Sequence, residues 1–88
     1  MNILKTATAG TMESSDAYVE IEPGNGQLNI TVESVVKKQF GEKIKASAKD
    51  VLDENGVVDA NVRIVDRGAL DCVIRSRVET AIFRAKED

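Results

Sequence analysis

The sequence predicts an α+β fold: a small two-layer sandwich in which a mainly antiparallel sheet carries two amphipathic helices on one face. Three observations lead to it. Three stretches alternate apolar and polar residues with a period of two, the pattern of half-buried strands. Two longer stretches repeat apolar residues at three- and four-residue spacings, the pattern of helices packed by one side. The chain of 88 residues is long enough for one core and no more, so residues 1–88 are expected to form a single domain.

The elements follow in order. Asn2 to Thr8 has Ile3 and Leu4 as its bulky apolar groups and is read as a short first strand. Ala9 to Asp16 is small, polar and rich in hydroxyls, and reads as an exposed turn. In Ala17–Glu22, Ala17, Val19 and Ile21 take one face and Tyr18, Glu20 and Glu22 the other. Pro23-Gly24-Asn25-Gly26 breaks the chain, and Gln27–Glu33 alternates again with Leu28, Ile30 and Val32 inward. Two alternating runs around such a connection predict a β-hairpin. Ser34 is a candidate N-cap for a helix running to about Glu54. Val36, Phe40, Ile44, Ala48, Val51 and Leu52 form its apolar face, and Gly41 is explained by close packing on the sheet. Asn55-Gly56 ends the helix. The third alternating strand is Val57–Val65, with Val58, Ala60, Val62 and Ile64 on one face. Asp66-Arg67-Gly68 is a turn, and a second helix runs from about Ala69 to Ala85 with Leu70, Val73, Ile74, Val78, Ala81, Ile82 and Ala85 as its stripe. Lys86-Glu87-Asp88 is expected to fray.

Composition excludes several function classes. The chain has no histidine, which removes the commonest general base and metal ligand, and one cysteine cannot form a thiolate cluster or an internal disulfide. No metal site is expected. A net charge of −3 and three aromatic residues argue against nucleic acid, which favours a basic face or a stacking platform. No apolar run approaches the ~18 residues of a membrane span, and Met1–Lys5 has no long apolar region, so a cytoplasmic protein is expected. Without a nucleophile–base pair, metal cluster or phosphate-binding glycine loop, a catalyst is not expected either. Cys72 reads as a small, partly buried helix residue. Asp66, Asp71, Arg67, Arg75 and Arg77 read as local ion pairs around the second helix start.

What remains is the hydroxyl-rich turn, where Ser14 and Ser15 stand between Glu13 and Asp16. The segment Ala9-Gly10-Thr11-Met12-Glu13-Ser14-Ser15-Asp16 resembles the N-terminal signature of citrate lyase acyl carrier proteins, the gamma chains. Val35-Val36-Lys37-Lys38-Gln39-Phe40-Gly41 and the run from Asp66 to Arg77, with Gly68-Ala69-Leu70-Asp71-Cys72 inside it, resemble the same family, and order and spacing agree over nearly the whole chain. The resemblance implies a single acyl carrier domain that is not itself an enzyme. It implies covalent attachment, at Ser14, of a 2'-(5''-phosphoribosyl)-3'-dephospho-coenzyme A arm through a phosphodiester. That family often has Gly where this chain has Ser15, so a second hydroxyl stands beside the first. The implied partners are an alpha subunit (acyl transferase), a beta subunit (lyase) and a holo-carrier transferase, in citrate fermentation. Three other readings compete: a phosphopantetheine carrier, which would need an Asp-Ser-Leu motif and a helical bundle; the carrier of malonate decarboxylase; and an α+β interaction module without a covalent group.

Overall fold

The computed structural model describes residues 2–34 and 38–86, with the side chains of Lys38 and Gln39 left aside. The elements are β1 (Ala7–Gly10), β2 (Ala17–Pro23), β3 (Leu28–Ser34), α1 (Lys38–Glu54), β4 (Ala60–Asp66) and α2 (Asp71–Lys86). The sheet order is β1-β2-β4-β3. β1–β2 and β2–β4 are antiparallel and β3–β4 is parallel, so the sheet is mixed, with antiparallel pairs in the majority. Ala17, Val19 and Ile21 of β2 and Ala60, Val62 and Ile64 of β4 point into one core with Ile44, Ala48, Val51 and Leu52 of α1 and Ile74, Val78, Ala81, Ile82 and Ala85 of α2. Glu22, Asn29, Thr31, Glu33 and Arg63 lie in solvent on the other sheet face. This is the expected α+β two-layer arrangement. Truncating a fully buried side chain such as Leu52 to Ala would cost about 2–5 kcal/mol, a large part of the ~5–15 kcal/mol that holds a domain together.

The hairpin expected between residues 17–22 and 27–33 does not form, because β4 lies between the two strands. Alternation fixes which face of a strand is buried, but not which strand lies beside it. The Pro23–Gly26 connection instead crosses the entry to β4: the Gly26 N–H donates to Asp59 Oδ1 (2.9 Å) and the Ala60 N–H to the Gln27 carbonyl (3.1 Å). The hairpin that does form is β1–β2, and the hydroxyl-rich segment is its loop. The first strand begins at Ala7, not Asn2, and takes in Ala9 and Gly10.

Other expectations shift by a residue or two. Val57 is buried while Val58 is 73 % exposed, because β4 starts only at Ala60 and the period of two does not extend back across residues 57–59. Ser34 closes β3 and donates its hydroxyl to Asp66 Oδ2 (2.9 Å), so its side chain serves the sheet; Val35, Val36 and Lys37, where the helix start and one apolar contact were expected, lie outside the described residues, as do Glu87 and Asp88, where fraying was expected. Phe40 is 45 % exposed, and a Cβ on Gly41 would meet nothing within 4 Å, so neither packs on the sheet as expected. α1 ends in a Schellman arrangement, with Gly56 at φ 68°, its N–H on the Asp53 carbonyl (3.0 Å) and the Val57 N–H on the Leu52 carbonyl (2.9 Å). α2 starts two residues later than expected. Leu70 therefore precedes it, is 72 % exposed, and accepts the first helical bonds from Val73 and Ile74 on its carbonyl. Cys72 is exposed as well, because the inward stripe begins at Ile74.

Candidate functional site

The strand registers gather the chemistry at one end of the sheet. Gly10 ends β1 opposite Tyr18, Ala17 opens β2 opposite Asp66, and Ser34 ends β3 opposite the same Asp66. The loop Thr11–Asp16 therefore sits at the end where β3 and β4 finish and from which the chain enters α2.

Within the loop, the Asp16 N–H donates to the Glu13 carbonyl (3.2 Å), closing a four-residue turn with Ser14 and Ser15 at its centre. Ser15 has φ 67°, and a left-handed third residue is the mark of a type II turn. Glycine adopts that conformation freely and serine only at a cost, which gives a physical reason for the glycine that the resembled family often has there. Ser14 stands at the turn's second position, exposed, and its hydroxyl makes no hydrogen bond with the described residues. A hydroxyl with no protein partner at a turn tip can enter another protein's active site without breaking an internal bond.

The tip is exposed, but its base is firmly held. Arg77 of α2 grips Asp16 with both donors of its fork, Nε to Oδ1 and Nη2 to Oδ2, each at 3.0 Å. Asp16 also accepts from the Thr11 hydroxyl (2.7 Å) and the Ala17 N–H (2.7 Å). The Arg77 hydrogen bonds first, then those from Thr11 and Ala17, lower the Asp16 carboxyl from 3.8 to about 2. On the other side, the Ser15 N–H donates to the Arg67 carbonyl (2.8 Å) and the Arg67 N–H to the Asp16 carbonyl (2.9 Å), which extends the β2–β4 ladder into both turns. Gly10 completes the clamp: at φ 86°, a Cβ there would lie 1.9 Å from the Ala17 carbonyl oxygen.

The Asp66–Asp71 turn is held as tightly. Asp66, only 2 % exposed, accepts from the Ser34 hydroxyl, the Gly68 N–H (3.2 Å) and the Ala69 N–H (2.9 Å). Asp71 accepts from the buried Ser47 hydroxyl of α1 and from Arg75 Nε (2.9 Å), and both lower its pKa, Ser47 most. Arg75 also reaches Asp50 (3.2 Å), joining the two helices. The expected local ion pairs around the start of α2 are thus present at Arg75. Arg77 and Asp66 instead make long-range and backbone contacts that local spacing does not show. Asp16, which the sequence places in an exposed turn, is a structural anchor, and Ser47, a helix serine among lysines in sequence, is one as well. Beside the Asp66–Asp71 turn and α1 lies a groove of about 550 Å³, bordered by Phe40, Lys43, Ile44, Gly68, Ala69 and Ile74, which the sequence did not announce. Among the described residues no helix is long and apolar enough to cross a membrane, and no group of three His, Cys, Asp or Glu is placed to hold a metal.

The chain has known relatives. The malonate decarboxylase delta subunit family matches residues 4–85. Over 87 residues the chain is 47 % identical to the citrate lyase acyl carrier protein of Pectobacterium atrosepticum, covering 99 % of this chain and 91 % of that one. Over 88 residues it is 48 % identical to that of Haemophilus influenzae, covering 100 % and 92 %. Among solved structures, a chain of the Pseudomonas malonate decarboxylase hetero-tetramer, crystallised in complex with malonate, superposes with a TM-score of 0.80 at 26 % identity, over 97 % of this chain and 88 % of that one.

Proposed function

Because the chain belongs to the citrate lyase acyl carrier proteins, within the wider malonate decarboxylase delta subunit family, we propose that it is the acyl carrier subunit of a citrate lyase. One observation supports this reading most: Ser14 presents a hydroxyl that bonds none of the described residues at the tip of a turn whose base is clamped to the body through Asp16, Arg77 and Arg67. A carrier needs that combination, a rigid body its partners can dock on and an attachment point that reaches away from it.

The residues present fit a serine-linked arm. The 2'-(5''-phosphoribosyl)-3'-dephospho-coenzyme A arm of our reading is joined through a phosphodiester, which needs an accessible hydroxyl and room for a bulky anion. Ser14 offers both, and Glu13, Ser14 and Ser15 are all exposed. With no histidine in the chain, activation of the hydroxyl falls to a separate holo-carrier transferase. Once attached, the arm supplies a thiol that carries acetyl and citryl groups as thioesters. Tethering holds them at high effective concentration beside the alpha (acyl transferase) and beta (lyase) subunits. Cys72, a thiol fixed on α2, cannot travel between two active sites. The chain is thus a single carrier domain, non-catalytic and cytoplasmic.

The second reading, a malonate decarboxylase carrier, has the family match and the Pseudomonas neighbour in its favour. The higher identity to the citrate lyase carriers, 47 % against 26 %, favours the first. The test is the intact mass of protein from its native host, with fragmentation of the N-terminal peptide. An excess equal to the arm, localised to Ser14, is expected. The same excess on Ser15 would move the site, and the bare mass from a host that makes the arm would sink the carrier reading. Co-elution with alpha and beta subunits of citrate lyase, rather than with decarboxylase subunits, separates the two enzymes.

A further inference from the structure

We propose that the groove between the first turns of α1 and the Asp66–Asp71 turn receives the nucleotide end of the arm, with Arg67 and Lys43 as its phosphate contacts and Phe40 as its stacking surface. The inference rests on the carrier reading above.

The groove, about 550 Å³, is within the range of roughly 300–1,000 Å³ typical of small-ligand sites. Ile44, Ala69 and Ile74 give it an aliphatic floor, and Phe40 is exposed at its rim. Two carboxylates border it, but both are engaged. Asp66 accepts from Ser34, Gly68 and Ala69, and Asp71 from Ser47 and Arg75. Asp71 is balanced by Arg75, Asp66 keeps its charge but is only 2 % exposed, and the cation on the groove is the Lys43 ammonium, over the Phe40 ring at 5.7 Å from its centre. An aromatic face with a cation beside it and an apolar floor suits a purine that carries phosphate.

Backbone hydrogen bonds join the loop to the neighbour of the groove wall. Gly68 and Ala69 form one wall, and their neighbour Arg67 is bonded through its own main chain to Ser15 and Asp16. The Arg67 side chain is exposed at this junction and makes no hydrogen bond or ion pair with the described residues. Arg67, beside the loop, and Lys43, in the groove, are the cations assigned to the phosphates of the arm. Of two other surfaces, one is acidic and the other, though bordered by Lys45 and Lys49, is remote from Ser14. The open sheet face presents Glu20, Glu22 and Glu33 against the single Arg63. The groove beside Leu28 and Val58 lies at the opposite end of β3 from Ser34.

The test compares apo protein with native-host holo protein whose mass shows the arm on Ser14. Amide spectra should differ at Lys43, Ile44, Gly68 and Ala69 as well as in the loop, and the adenine protons should show Overhauser contacts to the Phe40 ring. In holo Phe40→Ala and Lys43→Glu, both at exposed positions, the groove amides should return to their apo positions, whereas Lys43→Arg should keep the holo ones. Differences confined to residues 11–17, or groove shifts that arise only when a partner subunit is added, would overturn the inference while leaving the carrier reading intact. A bare mass overturns both.

Discussion

At the scale of single residues, the site depends on Asp16. Its carboxyl lies at about 2 in the folded protein against 3.8 in an open chain, so the folded state favours the ionised form. A depressed carboxyl contributes stability that is fully present above pH ~4 and is lost as pH falls through about 2. Asp16 is largely shielded while Arg77 is partly in solvent, so the contribution is on the order of 1–2 kcal/mol after screening. Asp16→Asn should therefore be less stable than the parent by that amount at neutral pH, and the two unfolding curves should converge as the solution is acidified towards pH 2. A difference that persists unchanged at pH 2 would show that the charge is not what matters. Ser15 makes a second case. Its positive φ disfavours serine, so Ser15→Gly should raise stability by about 0.5–1 kcal/mol and leave arm attachment at Ser14 intact; loss of the arm in that variant would assign the site to Ser15. Ser14 itself was legible only through a motif. Nothing in the local spacing shows that Asp16 meets Arg77, 61 positions away, or that Arg67 closes on the same loop.

At the scale of elements, the two helices and the buried faces of β2 and β4 were legible because a period of 2 or 3.6 directly records which side of an element meets the core. Strand neighbours were not. Gln27–Glu33 pairs with β4 in parallel, and that arrangement depends on α1 crossing over the sheet, a tertiary fact no short window contains. Element ends were misplaced for a similar reason: Val58, Phe40 and Leu70 are apolar at the right spacing but lie where the element ends or rises off the sheet. Gly41 follows from this. With open space for 4 Å around the position a methyl would take, and no positive φ, it has no packing duty in α1, so Gly41→Ala should stabilise the protein by about 1 kcal/mol, a rise in Tm of about 4–8 °C. A fall in Tm would mean that the backbone there approaches something in the folded protein. A stabilised variant that no longer joined its assembly would instead place a partner at that bare helix surface.

At the scale of the molecule, one sheet face and both helices are committed to a single core, while the loop that carries Ser14 contributes no apolar side chain to it beyond Ala9 at the end of β1. The separation has a consequence for Ser14→Ala. Alanine fits the second position of this turn, breaks no hydrogen bond and buries nothing, so stability should change by less than about 0.5 kcal/mol, or about 2–4 °C in Tm. The variant should therefore fold, join the assembly as the parent does, and carry no arm. That makes it a poison subunit. If tethering confines each carrier to the catalytic subunits beside it, an assembly built from equal amounts of parent and Ser14→Ala chains should lose activity in proportion to the inert fraction, to about half. Activity well above half would mean that one arm serves several neighbouring active sites, and activity near zero that the carriers act only in concert. Full loss of assembly in the variant, with its fold unchanged by circular dichroism, would show that the arm itself is part of the docking surface.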